Sequence, residues 1–164
     1  MSTLLLLLLA ASASAAMDKD AFKATQESID AAYQPNKAQC AALKGNARDV
    51  CEAEAKAKRR IEKAEAEADK NTAKARTMAI VARADAEYSV ARKRCDVLSG
   101  TEKTVCVTKA KAARVRAKAD ARANQEVIRK RNADYAIAIE RCASMRSDAK
   151  DRCLTKAKAR FRPS

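Results

Sequence analysis

The 164-residue chain has no histidine or tryptophan, only two glycines and two prolines, and an aromatic content of 3%. Because β-sandwiches and α/β enzymes need turn residues at short intervals, this scarcity argues against both classes. Without histidine, most acid–base, catalytic-triad and zinc mechanisms lose their usual residue. The sequence also contains no phosphate-binding loop and no nucleophile elbow. We therefore expect a helical protein that is not an enzyme and that uses no cofactor or metal.

What the chain does contain is helix-forming residues, mainly alanine, lysine, glutamate and arginine. Val81, Tyr88 and Cys95 recur every seven residues, and alanines occupy the second apolar position of the same heptads. This pattern is typical of coiled coils whose contacting side chains are small. The pattern predicts an all-α fold built from elongated antiparallel helical hairpins.

The amino-terminal segment resembles a secretory signal peptide. A leucine run occupies residues 4–9, and small residues fill 10–16 before the polar segment that starts at Met17. The leucine run is shorter than the roughly 20 residues that span a bilayer. We expect residues 1–16 to be removed on export and residues 17–164 to form one elongated domain. Disulfides then become possible, because exported thiols meet an oxidising compartment.

The six cysteines form three C-x10-C units, and each of the three tyrosines stands seven residues before the first cysteine of a unit. Seven residues are two helical turns, so each tyrosine shares a helix face with its cysteine. The repeat units span residues 33–57, 88–112 and 135–159. The cysteine pairs are Cys40 and Cys51, Cys95 and Cys106, and Cys142 and Cys153.

The middle of each unit predicts a sharp corner between two helices. Gly45, Gly100 and Ser147 stand five residues after the first cysteine, where glycine typically follows a helix end. The next residues, Asn46, Thr101 and Asp148, are of types favoured as N-caps. An antiparallel corner brings the two cysteines of a unit face to face, which predicts three disulfides within the units. The alternative is three pairs of buried free thiols; a metal site would need a different ligand spacing.

Three corners predict four antiparallel helices, near residues 18–44, 46–98, 101–146 and 148–161, and a rod-like molecule. The repeat period falls from 55 to 47 residues between successive units, which points to an insertion in the second helix. Asn71 and Thr72 are the candidate break, and the sequence leaves open whether that helix is continuous.

Positive charge accumulates towards the carboxyl end of the chain, whose formal net charge is +14. Residues 17–50 are neutral, residues 51–100 carry +3 and residues 101–164 carry +11. Such a field attracts polyanions, whereas the balanced segment at 52–70 is typical of a solvated helix face. The candidate anion-binding residues are Lys109, Lys111, Arg114, Arg116, Lys118, Arg122, Arg129, Lys130, Arg131, Lys156, Lys158, Arg160 and Arg162.

Export favours anionic phospholipid and lipopolysaccharide surfaces as the partners of these residues. The first hypothesis is therefore a structural or interaction protein of the cell envelope. The second hypothesis is a periplasmic holdase-type chaperone, which would need accessible apolar surface. Sequence-independent nucleic-acid binding is the third hypothesis, but the signal peptide argues against it in the cell, and the chain offers few aromatic side chains on which bases could stack. An envelope protein partner and self-association through alanine-rich faces are further expectations.

The units from Cys40 to Cys51 and from Cys95 to Cys106, each followed by alanine- and lysine-rich helix, resemble a group of exported proteobacterial proteins. Members of that group often carry the name "cell envelope biogenesis protein TolA", although only the helical composition is shared with TolA itself. The resemblance covers most of residues 20–160. It implies a periplasmic, helical, non-enzymatic protein of a Gram-negative envelope.

Overall fold

The computed structural model describes residues 19–69 and 72–161, so the predicted signal peptide lies outside the described residues. Within the described part, all regular secondary structure is helical, as the composition predicts. Short 3-10 turns, Cys40–Ala42 and Cys95–Val97, end the first and third helices. The five α-helices are α1 (Lys19–Gln39), α2 (Gly45–Ala68), α3 (Ala73–Arg94), α4 (Gly100–Ala143) and α5 (Ser147–Phe161).

The prediction of four helices is wrong, because the segment expected at 46–98 is two helices, α2 and α3, that fold back on each other. The candidate break is confirmed. The hydroxyl of Thr72 accepts a hydrogen bond from the backbone N–H of Ala75 at 3.0 Å and so caps the start of α3. Cross-helix contacts then run antiparallel, from the amide of Asn46 to the carbonyl of Lys93 and from Glu65 to Arg83.

The helices form a row in which each one packs against the next along the chain. Helical spacing places the α2 residues that contact α1, such as Arg59 and Lys63, on the side opposite those that contact α3, such as Ala57. At 1.5 Å per residue the 44 residues of α4 extend about 66 Å. Both α3 and α5 lie along α4, one from each end. The result is a row of antiparallel hairpins, which confirms the predicted all-α hairpin fold.

The first two corners have nearly the same backbone. Leu43 and Lys44 are extended, as are Leu98 and Ser99, and a glycine with positive φ then opens the next helix. The prediction that glycine closes the preceding helix is therefore wrong, and so are the N-caps at Asn46 and Thr101, because the caps are Lys44 and Ser99.

The third corner has positive φ at the equivalent position without a glycine. Ser147 has a φ of 47°, beside 57° at Gly45 and 51° at Gly100, and it is the first residue of α5. Asp148 thus stands inside α5 and not before it.

All three predicted disulfides are confirmed. The Cα–Cα distances are 5.6 Å for Cys40–Cys51, 5.8 Å for Cys95–Cys106 and 5.6 Å for Cys142–Cys153. The first cysteine of each pair is buried. An alanine stands one turn after the second cysteine of each pair, where a small side chain permits close helix approach; Ala55 and Ala157 are buried and Ala110 is half-buried.

The interior is composed mainly of alanine and cysteine. A cluster of buried residues joins α2 to α3 through Ala57, Ala86 and Val90, with Ala53 and Ile61 packed against it. Since small side chains remove little apolar area from water, we expect the disulfides and the less exposed interhelical ion pairs to contribute to the stability. None of the described helices is long and apolar enough to cross a membrane.

Candidate anion-binding surface

Two equivalent ion clusters join neighbouring helices. Between α1 and α2, Asp30 accepts hydrogen bonds from Arg59 at 2.6 Å and from Lys63 at 2.7 Å, and the Arg59 guanidinium lies 5.0 Å from the ring centroid of Tyr33. These hydrogen bonds, first that of Lys63 and then that of Arg59, lower the pKa of Asp30. The cluster therefore fixes α1 on α2 through a carboxylate that stays ionised.

Between α3 and α4 the same arrangement recurs 55 residues later. Asp85 accepts hydrogen bonds from Arg114 and from Lys118, the latter at 3.2 Å, and Arg114 lies 5.2 Å from the ring centroid of Tyr88. Burial raises the pKa of Asp85, but the hydrogen bonds and charges of its two partners together hold it below the ordinary value. The Asp85 side chain is only 18% exposed, so this cluster is the more protected of the two.

Sequence reasoning missed these clusters, although the signal was present. Extending the 55-residue alignment beyond the cysteines pairs Asp30 with Asp85, Arg59 with Arg114, and Lys63 with Lys118. The structure accordingly assigns two predicted anion-binding residues, Arg114 and Lys118, to an internal ion cluster. Their side chains are 35% and 22% exposed and face α3, so they do not belong to the outer surface.

Most of the other predicted residues are exposed. Arg129 ion-pairs with Glu126 of the same helix, which raises the pKa of Arg129 and lowers that of Glu126. Arg131 is half-buried, and Arg162 lies outside the described residues. The remaining exposed residues are Lys109, Lys111, Arg116, Arg122 and Lys130 on α4, and Lys156, Lys158 and Arg160 on α5.

The helices differ sharply in charge. Both α1 and α2 are neutral, with three residues of each sign in α1 and six of each sign in α2. In contrast, α4 carries eleven basic and five acidic residues, a net charge of +6, and α5 carries five and two, a net charge of +3. Helix α3 carries six basic and two acidic residues, a net charge of +4, and three of its basic residues ion-pair with carboxylates of α2. Positive charge therefore rises along the row and is greatest in α4 and α5 together.

One side of α4 faces away from α3 and α5, because Cys106, Arg114 and Cys142 all point to the opposite side. We call it the outer face of α4. Exposed basic residues alternate along it with large apolar side chains that are 44–64% exposed. The basic residues are Lys109, Arg116, Arg122 and Lys130, and the apolar ones are Val105, Val115, Val127 and Ile137.

Comparison with protein-family models, with curated proteins and with solved structures gives no match for this chain.

Proposed function

We propose that the chain is an exported, non-enzymatic protein of the Gram-negative cell envelope, whose α4–α5 end docks on anionic phospholipid or lipopolysaccharide surfaces. The observation that carries this proposal is the outer face of α4, where basic residues and exposed valine and isoleucine occur together. Each basic residue near an anionic leaflet contributes roughly 1 kcal/mol of binding free energy. Apolar side chains on the same face add to the binding free energy when they enter the boundary between the lipid headgroups and the acyl chains.

The stapled row of helices suits this role because it presents α4 as one long, charged edge. The opposite edge, formed by α1 and α2, carries no net charge and would stay free for other envelope components. Three disulfides support an oxidising compartment as the working environment, and the periplasm is our proposal for it.

Co-sedimentation of the mature chain with lipid vesicles tests the proposal. Vesicles rich in phosphatidylglycerol or lipopolysaccharide should bind the protein, and vesicles of phosphatidylcholine alone should bind it weakly. Binding to the anionic vesicles should fall steeply as salt is raised, since exposed charges are screened. Equal binding to both kinds of vesicle, or binding that salt does not change, would contradict the proposal.

A further inference from the structure

A groove between α4 and α5 holds a cavity of about 540 Å³. Its apolar lining includes Ile137, Met145 and Phe161, and its basic lining consists of Arg141, Lys156 and Arg160, with a single carboxylate from Asp134. A volume of this size lies within the range of small-molecule sites, and a mainly apolar wall with a few charged groups is their usual chemistry.

The preceding repeat unit shows how the same groove looks when it is filled. A shift of 47 residues maps Ala91 onto Ala138, Ala110 onto Ala157 and Arg114 onto Phe161. All three residues of the earlier unit line a groove between α3 and α4, but its volume is only about 120 Å³. The fold is repeated, and the space in the third unit is more than four times larger.

Two substitutions between the units account for part of this difference. In the α3–α4 unit Arg114 reaches across the groove to Asp85 and covers Tyr88. In the third unit Phe161 replaces the arginine and Asn132 replaces the aspartate, so that ion pair cannot form. Within the described residues, the buried Oδ1 of Asn132 accepts no hydrogen bond.

A third difference lies on the side of the groove. Val90 in α3 is 8% exposed because it packs against Ala57 of α2. The equivalent residue of α4 is Ile137, which is 49% exposed on the outer face. The groove in the third unit is therefore open towards the surface that we propose docks on anionic lipid.

From these observations we infer that the third-unit groove is a binding site for a single-chain anionic lipid, with the acyl chain along Ile137, Met145 and Phe161 and the phosphate at Arg141, Lys156 and Arg160. The three cations against one carboxylate favour an anionic headgroup over a neutral one. The inference rests on the proposed function because it names the lipid that the α4–α5 end would bind.

Methionine methyl NMR on the mature chain tests the site, with lauroyl lysophosphatidylglycerol as the probe below its micelle concentration. Met145 lines the groove, whereas Met78 is 57% exposed on α3 and serves as the internal control. The Met145 signal should shift saturably while the Met78 signal stays in place. Lauroyl lysophosphatidylcholine tests the need for negative charge, and glycerol phosphate tests the need for the chain; both should bind at least about tenfold more weakly.

The variant N132D/F161R rebuilds the ion pair of the α3–α4 unit and leaves the net charge unchanged. It should abolish the Met145 shift while vesicle binding by the outer face persists. If the double variant does not fold, I137E provides a second test at an exposed position and should weaken lysolipid binding by at least about tenfold. I80E is its matched control, since Ile80 is 44% exposed on α3, outside both the groove and the outer face of α4, and the affinity of this variant for the lysolipid should be unchanged.

Several outcomes would overturn the site. These are equal shifts at Met145 and Met78, an unchanged shift in N132D/F161R, or equal affinity for glycerol phosphate, which would indicate a plain phosphate site.

A helix of another protein or of a second copy is the competing ligand, because α2 covers the equivalent Val90 in the earlier unit. A shift of Met145 with a peptide of residues 45–68 but not with the lysolipid would therefore reject the lipid. Loss of vesicle binding with an intact Met145 shift would instead reject the proposed function alone.

Discussion

At the scale of single residues, the most informative feature is the repeated cluster of aspartate, arginine, lysine and tyrosine. Its carboxylate lies between two cations on the neighbouring helix, and its arginine covers the tyrosine ring. Removing one charged residue of such a cluster leaves the opposite charges without a partner. The resulting loss of stability is larger than the stability that an exposed ion pair contributes. These clusters, and not the total number of ion pairs, should therefore govern stability.

The variant D85N should lower the free energy of unfolding by about 1.5–3 kcal/mol, because Arg114 and Lys118 lose their charged acceptor. Urea denaturation followed by circular dichroism would measure the change. E126Q is the matched control: it also removes an ion pair of α4, but Glu126 is exposed and pairs within its own helix, so no measurable change is expected. Equal losses in the two variants would contradict the role of the cluster.

The same aspartates set the acid sensitivity of the fold. The pKa values of Asp30 and Asp85 are lowered in the folded state. Their contribution to the free energy of unfolding is therefore fully present above the ordinary aspartate pKa of 3.8. It is lost as the pH falls through the lowered folded values. Stability measured from pH 7 down to pH 2 should thus decline below about pH 4. D85N should decline less steeply there, and a slope equal to that of the parent chain would refute the assignment.

The three corner residues allow a matched comparison of backbone strain. Gly100 has positive φ, and no atom lies near its missing Cβ, so G100A should cost about 1–2 kcal/mol from conformation alone. Ser147 already bears this strain, and S147G should therefore stabilise the chain by about 0.5–1 kcal/mol after the entropy cost of glycine. Thermal unfolding of both variants would measure the two effects. Changes of the same sign would show that the corners are not equivalent.

At the scale of helices and corners, the disulfides determine whether the hairpins hold together. Each disulfide joins cysteines 11 residues apart and should contribute roughly 3 kcal/mol in the chain-entropy account. The double variant C95S/C106S should therefore unfold at lower urea concentration. Much of its local helicity should survive, because alanine- and lysine-rich segments form helix on their own. An unchanged urea midpoint would show that packing and ion pairs suffice.

Much of this level is predictable from the sequence. Cysteine spacing and the glycine positions predict the corners and the disulfide pairing, because an antiparallel turn leaves only one partner within reach. The hairpin between α2 and α3 is harder to predict, since alanine-rich sequence on both sides of Thr72 is compatible with a continuous helix. Only the shortened repeat period indicated the break, and the packing of α2 on α3 through Ala57, Ala86 and Val90 determines it.

The candidate surface was predictable only in part, for a physical reason. Charge counts place the positive field after residue 100, but they cannot distinguish a lysine that faces solvent from one that faces an aspartate of the next helix. Arg114 and Lys118 illustrate this difference, which depends on knowing that α3 packs on that side of α4. The third-unit groove likewise emerges only when Phe161 and Asn132 are compared with the residues that close the earlier groove.

At the scale of the whole molecule, the row of helices separates a neutral edge from a basic one. The neutral edge consists of α1 and α2, which are balanced in charge, and the basic edge is the outer face of α4 with α5. A protein with this asymmetry should approach an anionic surface in one orientation, because the field of the basic edge dominates at close range. Orientation, and not total charge, is therefore the central claim of the proposed function.

Two variants that each lose four positive charges test that claim most directly. One replaces the basic residues of the outer face of α4 with glutamine (K109Q, R116Q, R122Q and K130Q), and the other does the same at exposed residues of the neutral edge (K19Q, K37Q, K56Q and R60Q). At fixed salt, the affinity of the α4 variant for phosphatidylglycerol vesicles should fall about tenfold or more. The neutral-edge variant should bind nearly as well as the parent chain, and an equal loss in both would contradict the account.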